Sequence, residues 1–448
     1  MSAFGDYGRA LRAMGGSARR YMLFTVLTSI AFSISNLNLN LYLHSLGYRP
    51  DFIGLLNGLP SLVVMALGLP LGYLADRKGY MPFLIFGTAI SSVAALGTAL
   101  SAARVPLLFF AILGGVAGST AWVIGPPFLM SITHPRERVY LFSLQSAVMG
   151  GTGFLGSLLG GAIPDWVAVR IGGTSMGVVP LRAALLAMAF FNILALLPMI
   201  GLRIPKPVGD GAQETDASGP GKIGPDAAKV TSTAAARPGK PASPLPRTAA
   251  ELGLYLKLLA PQALVSLGAG AMVTFFQLFF NMRFRLPPER ISPIFAFSAI
   301  ATAVATLVAP LMAKRLGRVR TVVLTELASI PFLLTLAYSG NLAAAVSAYY
   351  LRGALMNMGG PIQQTFILEQ VSERQRATLT SLGAVLGSMG RGGIGPMVSG
   401  YLQVVSGFGL AFTFTTVCYV VGMALFWWFF RNSERQTASE RPQAQQAV

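Results

Sequence analysis

The chain has 448 residues, 53% of them hydrophobic and only 11% charged, with a mean hydropathy of +0.61. This excludes a soluble globular protein of that length and implies helices in a bilayer, because runs of about 20 apolar residues, enough to cross a hydrocarbon core, recur along the sequence. A net charge of +18 would suggest a nucleic-acid partner for a soluble protein, but here the basic residues sit in short loops between apolar runs, so no nucleic acid is expected.

Residues 1–20 carry Arg9, Arg12, Arg19 and Arg20 and no apolar stretch of a removable signal peptide. Six spans lie within residues 21–202: Tyr21 to Leu43, Phe52 to Ala75, Pro82 to Ser101, Pro106 to Met130, Tyr140 to Ile163 and Leu181 to Leu202. Residues 203–259 read as a largely disordered cytoplasmic linker, since Pro205 to Arg247 is rich in Pro, Gly, Ala, Ser and Lys and lacks the large apolar residues of a packed core. Glu251 to Lys257 is expected to rest at the interface. Six more spans occupy residues 260–431: Pro261 to Met282, Ile291 to Ala313, Val319 to Tyr338, Leu342 to Leu368, Ala377 to Val404 and Leu410 to Phe430, before a tail at 432–448.

Basic residues recur at every second loop, at Arg77 and Lys78, Arg136 and Arg138, Lys314 and Arg315, and Arg374 and Arg376. This positive-inside pattern predicts an integral protein of the plasma (inner) membrane with both termini cytoplasmic, the lipid bilayer its permanent partner. Cys418 is the only cysteine, so no intrachain disulfide forms.

Between the second and third spans stands Gly72-Tyr73-Leu74-Ala75-Asp76-Arg77-Lys78-Gly79. Elementary physics asks little of it: an apolar helix ends, charges stay out of lipid, and a glycine turns the backbone. The pattern Gly-x-Leu-x-Asp-Arg-x-Gly at a span boundary resembles the signature loop of the major facilitator superfamily, with Tyr80 and Met81 where the superfamily has a basic pair. The resemblance implies an all-α integral membrane protein of twelve transmembrane helices in two six-helix bundles, working by alternating access. It further implies that Asp76 caps the N-terminal end of the eleventh helix and that Gly72 allows close packing there. A partial likeness of Gly156-Ser157-Leu158-Leu159-Gly160-Gly161 to the superfamily's exporter-associated motif lacks the proline after the first glycine, which Gly395-Pro396 supplies in the eleventh span.

Independently of the motif, the halves repeat each other. A constant shift of 238 pairs Pro50-Asp51 with Pro288-Glu289, Arg77 and Gly79 with Arg315 and Gly317, and Arg138 with Arg376. One added residue later, Gly156 and Gly161 fall on Gly395 and Gly400. The repeat implies two parallel bundles about an axis along the membrane normal, with a site between them near the midplane. The copies differ in charge: Asp76 is matched by Lys314, Gly114 by Arg352 and Gly153 by Arg391.

An ionisable group in lipid costs several kcal/mol, so each is a functional candidate. Arg352 and Arg391 lie deep in the tenth and eleventh spans, Glu326 is shallow in the ninth, and Asp51 and Glu289 stand at outer edges. Arg352 is either a substrate ligand or half of a buried pair with Glu326; Arg391 lines the cavity or snorkels to the outer interface. Ser29, Ser33, Asn36 and Asn40 share one helical face, as do Thr274, Gln277 and Asn281, and Gln363 shares a face with Arg352. These stripes predict a hydrated substrate cavity, with interhelical hydrogen bonding the competing reading. Gly173-Thr174-Ser175-Met176-Gly177 matches a nucleophile pattern but has no preceding strand, and of the two histidines, His134 lies across the membrane from it. No cofactor, metal cluster or nucleotide loop is expected, and no enzyme.

The function expected is secondary active transport of a small solute, an organic or phosphorylated anion held by Arg352, with Glu326 or Asp51 taking a coupling proton or ion. The alternatives are a proton-coupled exporter of drugs or lipophilic compounds and, in another class, a transport-inactive receptor or scaffold.

Overall fold

Both copies of the repeat start their second helix with a proline whose fixed φ suits the first helical turn, Pro50 and Pro288, and both end it at a glycine of positive φ, Gly79 (88°) and Gly317 (89°). The left-handed side of φ space is open to glycine at little steric cost, so each chain turns directly into its third helix there. The computed structural model describes residues 16–131, 138–200 and 249–431; a few side chains inside helices, Asp76 among them, lie outside that description.

The described chain is helical, with no strand. The first half comprises α1 (Gly16–Ser45), α2 (Pro50–Lys78), α3 (Tyr80–Leu100), α4 (Arg104–Ser119, a π-helical turn Thr120–Ile124, then Gly125–Ser131), α5 (Arg138–Ile171) and α6 (Val178–Leu194 and Leu196–Met199). The second comprises α7 (Ala249–Val273 and Phe276–Phe284), α8 (Pro288–Leu316), α9 (Arg318–Tyr338) and α10 (Leu342–Met358 and Gly360–Glu369). It ends with α11 (Glu373–Ser388, a π-helical turn Met389–Ile394, then residues 395–405) and α12 (residues 408–430), separated by a kink at Ser406 and Gly407. Among the described residues, ten stretches are long and apolar enough to cross a membrane. The broken α10 falls short of that length, and α11 and α12 form one of the ten, which accounts for twelve passages.

The seventh helix corrects one expected boundary. It begins at Ala249, so residues 249–259 of the expected linker are helix, with Tyr255, Leu258 and Leu259 buried and Gln375 Nε2 donating to Glu251 Oε1 at 3.1 Å. Those contacts outweigh the helix-breaking tendency of Pro261, which sits inside the helix. The rest of the expected linker, residues 203–248, lies outside the described residues, as do 1–15 and 432–448.

The repeat is legible in the packing. Gly156 of α5 meets α1 at Ile30 and Ser33, and its counterpart Gly395 of α11 meets α7 at Leu267 and Gly270. Gly161 of α5 meets α8 at Pro288 and Ser292, and its counterpart Gly400 meets α2 at Pro50 and Asp51. The first pair of contacts is inside each half; the second pair joins the halves. A methyl group at Gly161 or Gly400 would stand 2.2–2.3 Å from the facing helix, so only glycine permits these seams.

The seams lie toward the end of the molecule opposite Gly79 and Gly317, hereafter the far end. There one buried apolar cluster runs through both halves, from Ile34, Leu41 and Ile53 to Phe276, Phe280 and Ile291. At the loop end the first half has a separate core of Tyr21, Phe24, Ala75, Phe128 and Met199. The molecule is thus joined at the far end and parted at the loop end.

Candidate functional site

The charged residues deep in the second half converge. Arg352 on α10 is 4% exposed and its Nη2 donates to Tyr419 Oη of α12 at 2.5 Å, while its guanidinium lies 5.4 Å from the Phe276 ring centre and 5.8 Å from that of Tyr419. Aromatic faces carry negative charge density and partly replace lost water around a buried cation. Glu326 on α9, 3% exposed, interacts electrostatically with both Arg391 and Arg352. No ion pair within 4 Å joins the three among the described residues, and Arg352 Nε and Glu326 Oε2 are both buried without a hydrogen-bond partner.

Arg391 occupies the π-helical turn of α11, is exposed, and acts electrostatically on Glu326 and Tyr419. A π turn inserts one residue into the helix and re-aims the side chains beyond it. Flanking Gly390 and Gly392 allow α7 and α2 to approach closely at Leu267 and Ser61. Two arginines against one carboxylate leave this region positive by at least one charge. Tyr349 of α10, its ring edge-on to Phe276 at 5.1 Å between centres, completes an aromatic wall.

The polar stripes are placed differently. α7 breaks at Thr274 and Phe275, so Thr274, Gln277 and Asn281 do not share one continuous helical face; Gln363 is half-buried just beyond the turn at Gly359. Asn40 is 1% and Gln277 3% exposed, and both reach across to the other half at the far end: Asn40 Nδ2 donates to Thr274 O at 2.6 Å, Gln277 Nε2 to Asn36 O at 2.8 Å. Asn57 Nδ2 of α2 donates to Asn40 Oδ1 at 2.7 Å. Asp51 is exposed in the first turn of α2, where its Oδ1 accepts from Phe52 N–H. Ser175 sits in the turn before α6 and is 8% exposed.

A family model of the Major Facilitator Superfamily matches residues 21–393. The chain belongs to that superfamily. Among solved structures it is similar to a bacterial homolog of the human lysosomal transporter Spinster, in an inward-facing and unoccupied conformation, with 16% identity, TM-score 0.70, and 93% of this chain and 96% of that one covered. It is also similar to the nucleoside transporter NupG, at 14% identity and TM-score 0.65 over 93% and 98% of the two chains. The human organic anion transporter MFSD10 (TETRAN) shares 17% identity at TM-score 0.57 over 92% and 99%. At these identities the likeness is one of fold. The multidrug resistance protein MdtH of Aeromonas hydrophila subsp. hydrophila is 26% identical over 122 residues, 27% of this chain and 30% of that protein, and MdtH of Aeromonas salmonicida matches over 29% of its length. The chain therefore spans less than a third of the curated relatives it matches.

Within this superfamily fold the signature loop sits at the end where the halves part. Arg77 stacks on the Tyr73 ring at 4.4 Å, and Arg315 is exposed. Gly72 was expected to bring α2 against the eleventh helix; it packs instead on Val123 of α4, within its own half. The start of α11 is capped from its own sequence, since Gln375 Oε1 accepts from Ser372 N–H and Oγ. The contact expected of the Asp76 carboxylate lies outside the described residues. At the same end Glu369 pairs with Arg318, which takes it out of the interior cluster.

Tyr419, Phe276 and Tyr349 of the candidate site, and Asn57, which braces Asn40 at the far end, were missed by sequence reasoning. Tyr419 left one signal, a phenol amid the apolar run Val417 to Val421, because a buried hydroxyl needs a partner.

Proposed function

We propose that this superfamily member is a secondary active transporter that moves a small organic or phosphorylated anion by rocking its two halves. The observation that carries the reading is the interior cluster: two arginines, Arg352 and Arg391, against the one carboxylate of Glu326. A positive excess in a low-dielectric interior attracts an anion, and a planar guanidinium can hold a carboxylate or phosphate through two parallel bonds. The aromatic wall of Phe276, Tyr349 and Tyr419 suits a solute with an apolar body. Glu326 is the coupling group of this scheme, a buried carboxylate that takes a proton when the anion engages the arginines. In this reading the loop end is cytoplasmic, as the basic loops require of a plasma-membrane protein.

The test is a panel of organic carboxylates, phosphate monoesters and lipophilic cations, read by thermal shift and by uptake into proteoliposomes. Carboxylates or phosphates should stabilise the protein, and Arg352→Lys should weaken that binding about tenfold or more, because an ammonium lacks the planar fork. Full transport by the double variant Arg352→Met/Glu326→Gln would end the anion reading. Stabilisation by lipophilic cations would favour the second reading, an exporter of lipophilic compounds, which the aromatic wall and the partial match to a multidrug resistance protein support. Absence of any uptake would favour a transport-inactive receptor.

A further inference from the structure

The two hydrogen bonds that cross between the halves at the far end are related by the internal repeat. Their acceptors are the backbone carbonyls of Asn36 and Thr274, which the shift of 238 superposes. Each carbonyl accepts from a carboxamide of the opposite half: Gln277, three residues after Thr274, and Asn40, four residues after Asn36. The clasp is thus reciprocal about the pseudo-two-fold axis, although the donors themselves are not repeat partners.

Local structure builds both sides of it. α7 is interrupted at Thr274 and Phe275, where Phe275 N–H bonds back to Met272 O, and the break lets the Thr274 carbonyl accept from outside its own helix. Asn40 is held in register by Asn57 of α2, whose Nδ2 donates both to Asn40 Oδ1 and to Ile53 O. Gln277 Oε1 is buried with no partner, so the Gln277 carboxamide is anchored only through its donor to Asn36. Because both acceptors are backbone atoms of the other half, the two bonds exist only while the far end is shut, and rocking breaks both.

We infer that Asn40 and Gln277 form a reciprocal amide clasp that sets how often the far end opens, rather than contacting the transported solute. The inference does not depend on the solute's being an anion. A buried hydrogen bond contributes roughly a factor of five to the equilibrium it takes part in, so each donor holds the closed far end by about that factor.

Thiol labelling in the purified full-length protein tests it. Ser292 is 3% exposed beneath the seam, where its hydroxyl faces Gly161 of the other half, so Ser292→Cys in a Cys418→Ser background reports opening of the far end. Native Cys418, buried between α7 and α12, reports general unfolding in the otherwise unaltered chain. Asn40→Ala and Gln277→Ala should each speed maleimide labelling at position 292 about fivefold, and both together by more, with the Cys418 rate unchanged. Equal acceleration at both thiols would mean that the bonds merely hold the fold together, and no acceleration at position 292 would mean that they hold nothing shut; either result overturns the clasp.

Discussion

At the residue scale, the second half contains a cation whose surroundings are only partly satisfied. Arg352 uses one amino group on Tyr419 and the two ring faces beside it, while its Nε has no partner. Tyr419→Phe keeps the ring and removes the one oxygen, so it should lower stability by about 1–3 kcal/mol and let the guanidinium turn. The loss of stability is measured by thermal unfolding. A weaker response to whichever anion stabilises the unaltered protein is the separate sign that Tyr419 orients Arg352 and does more than fill space. The pairing of Arg352 with Glu326 that the sequence allows takes a different form: the carboxylate is an electrostatic neighbour without contact. Arg352 and Glu326 are both buried, so removing one leaves the other less compensated, which is why the double variant is the more informative one.

At the element scale, glycine decides where helices of different halves touch. A Cβ on Gly54 would stand 2.3 Å from the Pro396 carbonyl oxygen, a backbone atom that cannot swing aside, whereas a Cβ on Gly114 would meet nothing within 4 Å. Gly54→Ala should therefore force α2 from α11, lowering stability by roughly 1–3 kcal/mol. Gly114→Ala should be neutral or raise stability by up to about 1 kcal/mol through helix propensity. Thermal melts of the two variants side by side check this. The interruptions matter equally. The π turn in α4 at Thr120–Ile124 and the break in α10 at Gly359 fall at matched positions of the repeat, so both halves weaken the same helix at the same depth. The break in α7 has no counterpart in α1, which runs unbroken from Gly16 to Ser45.

At the scale of the whole molecule, the apolar clusters define one closed end and one parted end, and the rocking proposed above would exchange them. The exchange must close the loop end, where Asp76 lies in the last turns of α2. A carboxylate near a helix N-terminus contributes up to about 2 kcal/mol when partly buried, so the closed loop end should be weakened in Asp76→Asn while folding and membrane insertion are kept. The expected outcome is slower turnover in proteoliposomes at normal expression. Wild-type rates would remove Asp76 from the gate.

The sequence by itself determined the medium, the helix count and the repeat, because each follows from apolar run length or from a register of 238 held across four loops, and it pointed to the family through the resemblance of one charged motif at a span boundary. It also showed that Arg352 and Arg391 needed an explanation, since charge in lipid is costly wherever it falls. It did not show which partners they have, nor what the amide stripes do. Sharing a helical face says that side chains point the same way, not what stands opposite, and the local break at Thr274 and Phe275 turned a predicted cavity stripe into the acceptor of a bond from the other half. Gly72 illustrates the same limit, for a glycine announces a close approach but not the helix that makes it. Those decisions belong to the tertiary structure because they depend on how the two six-helix bundles pack against each other, a geometry that no spacing within one helix encodes.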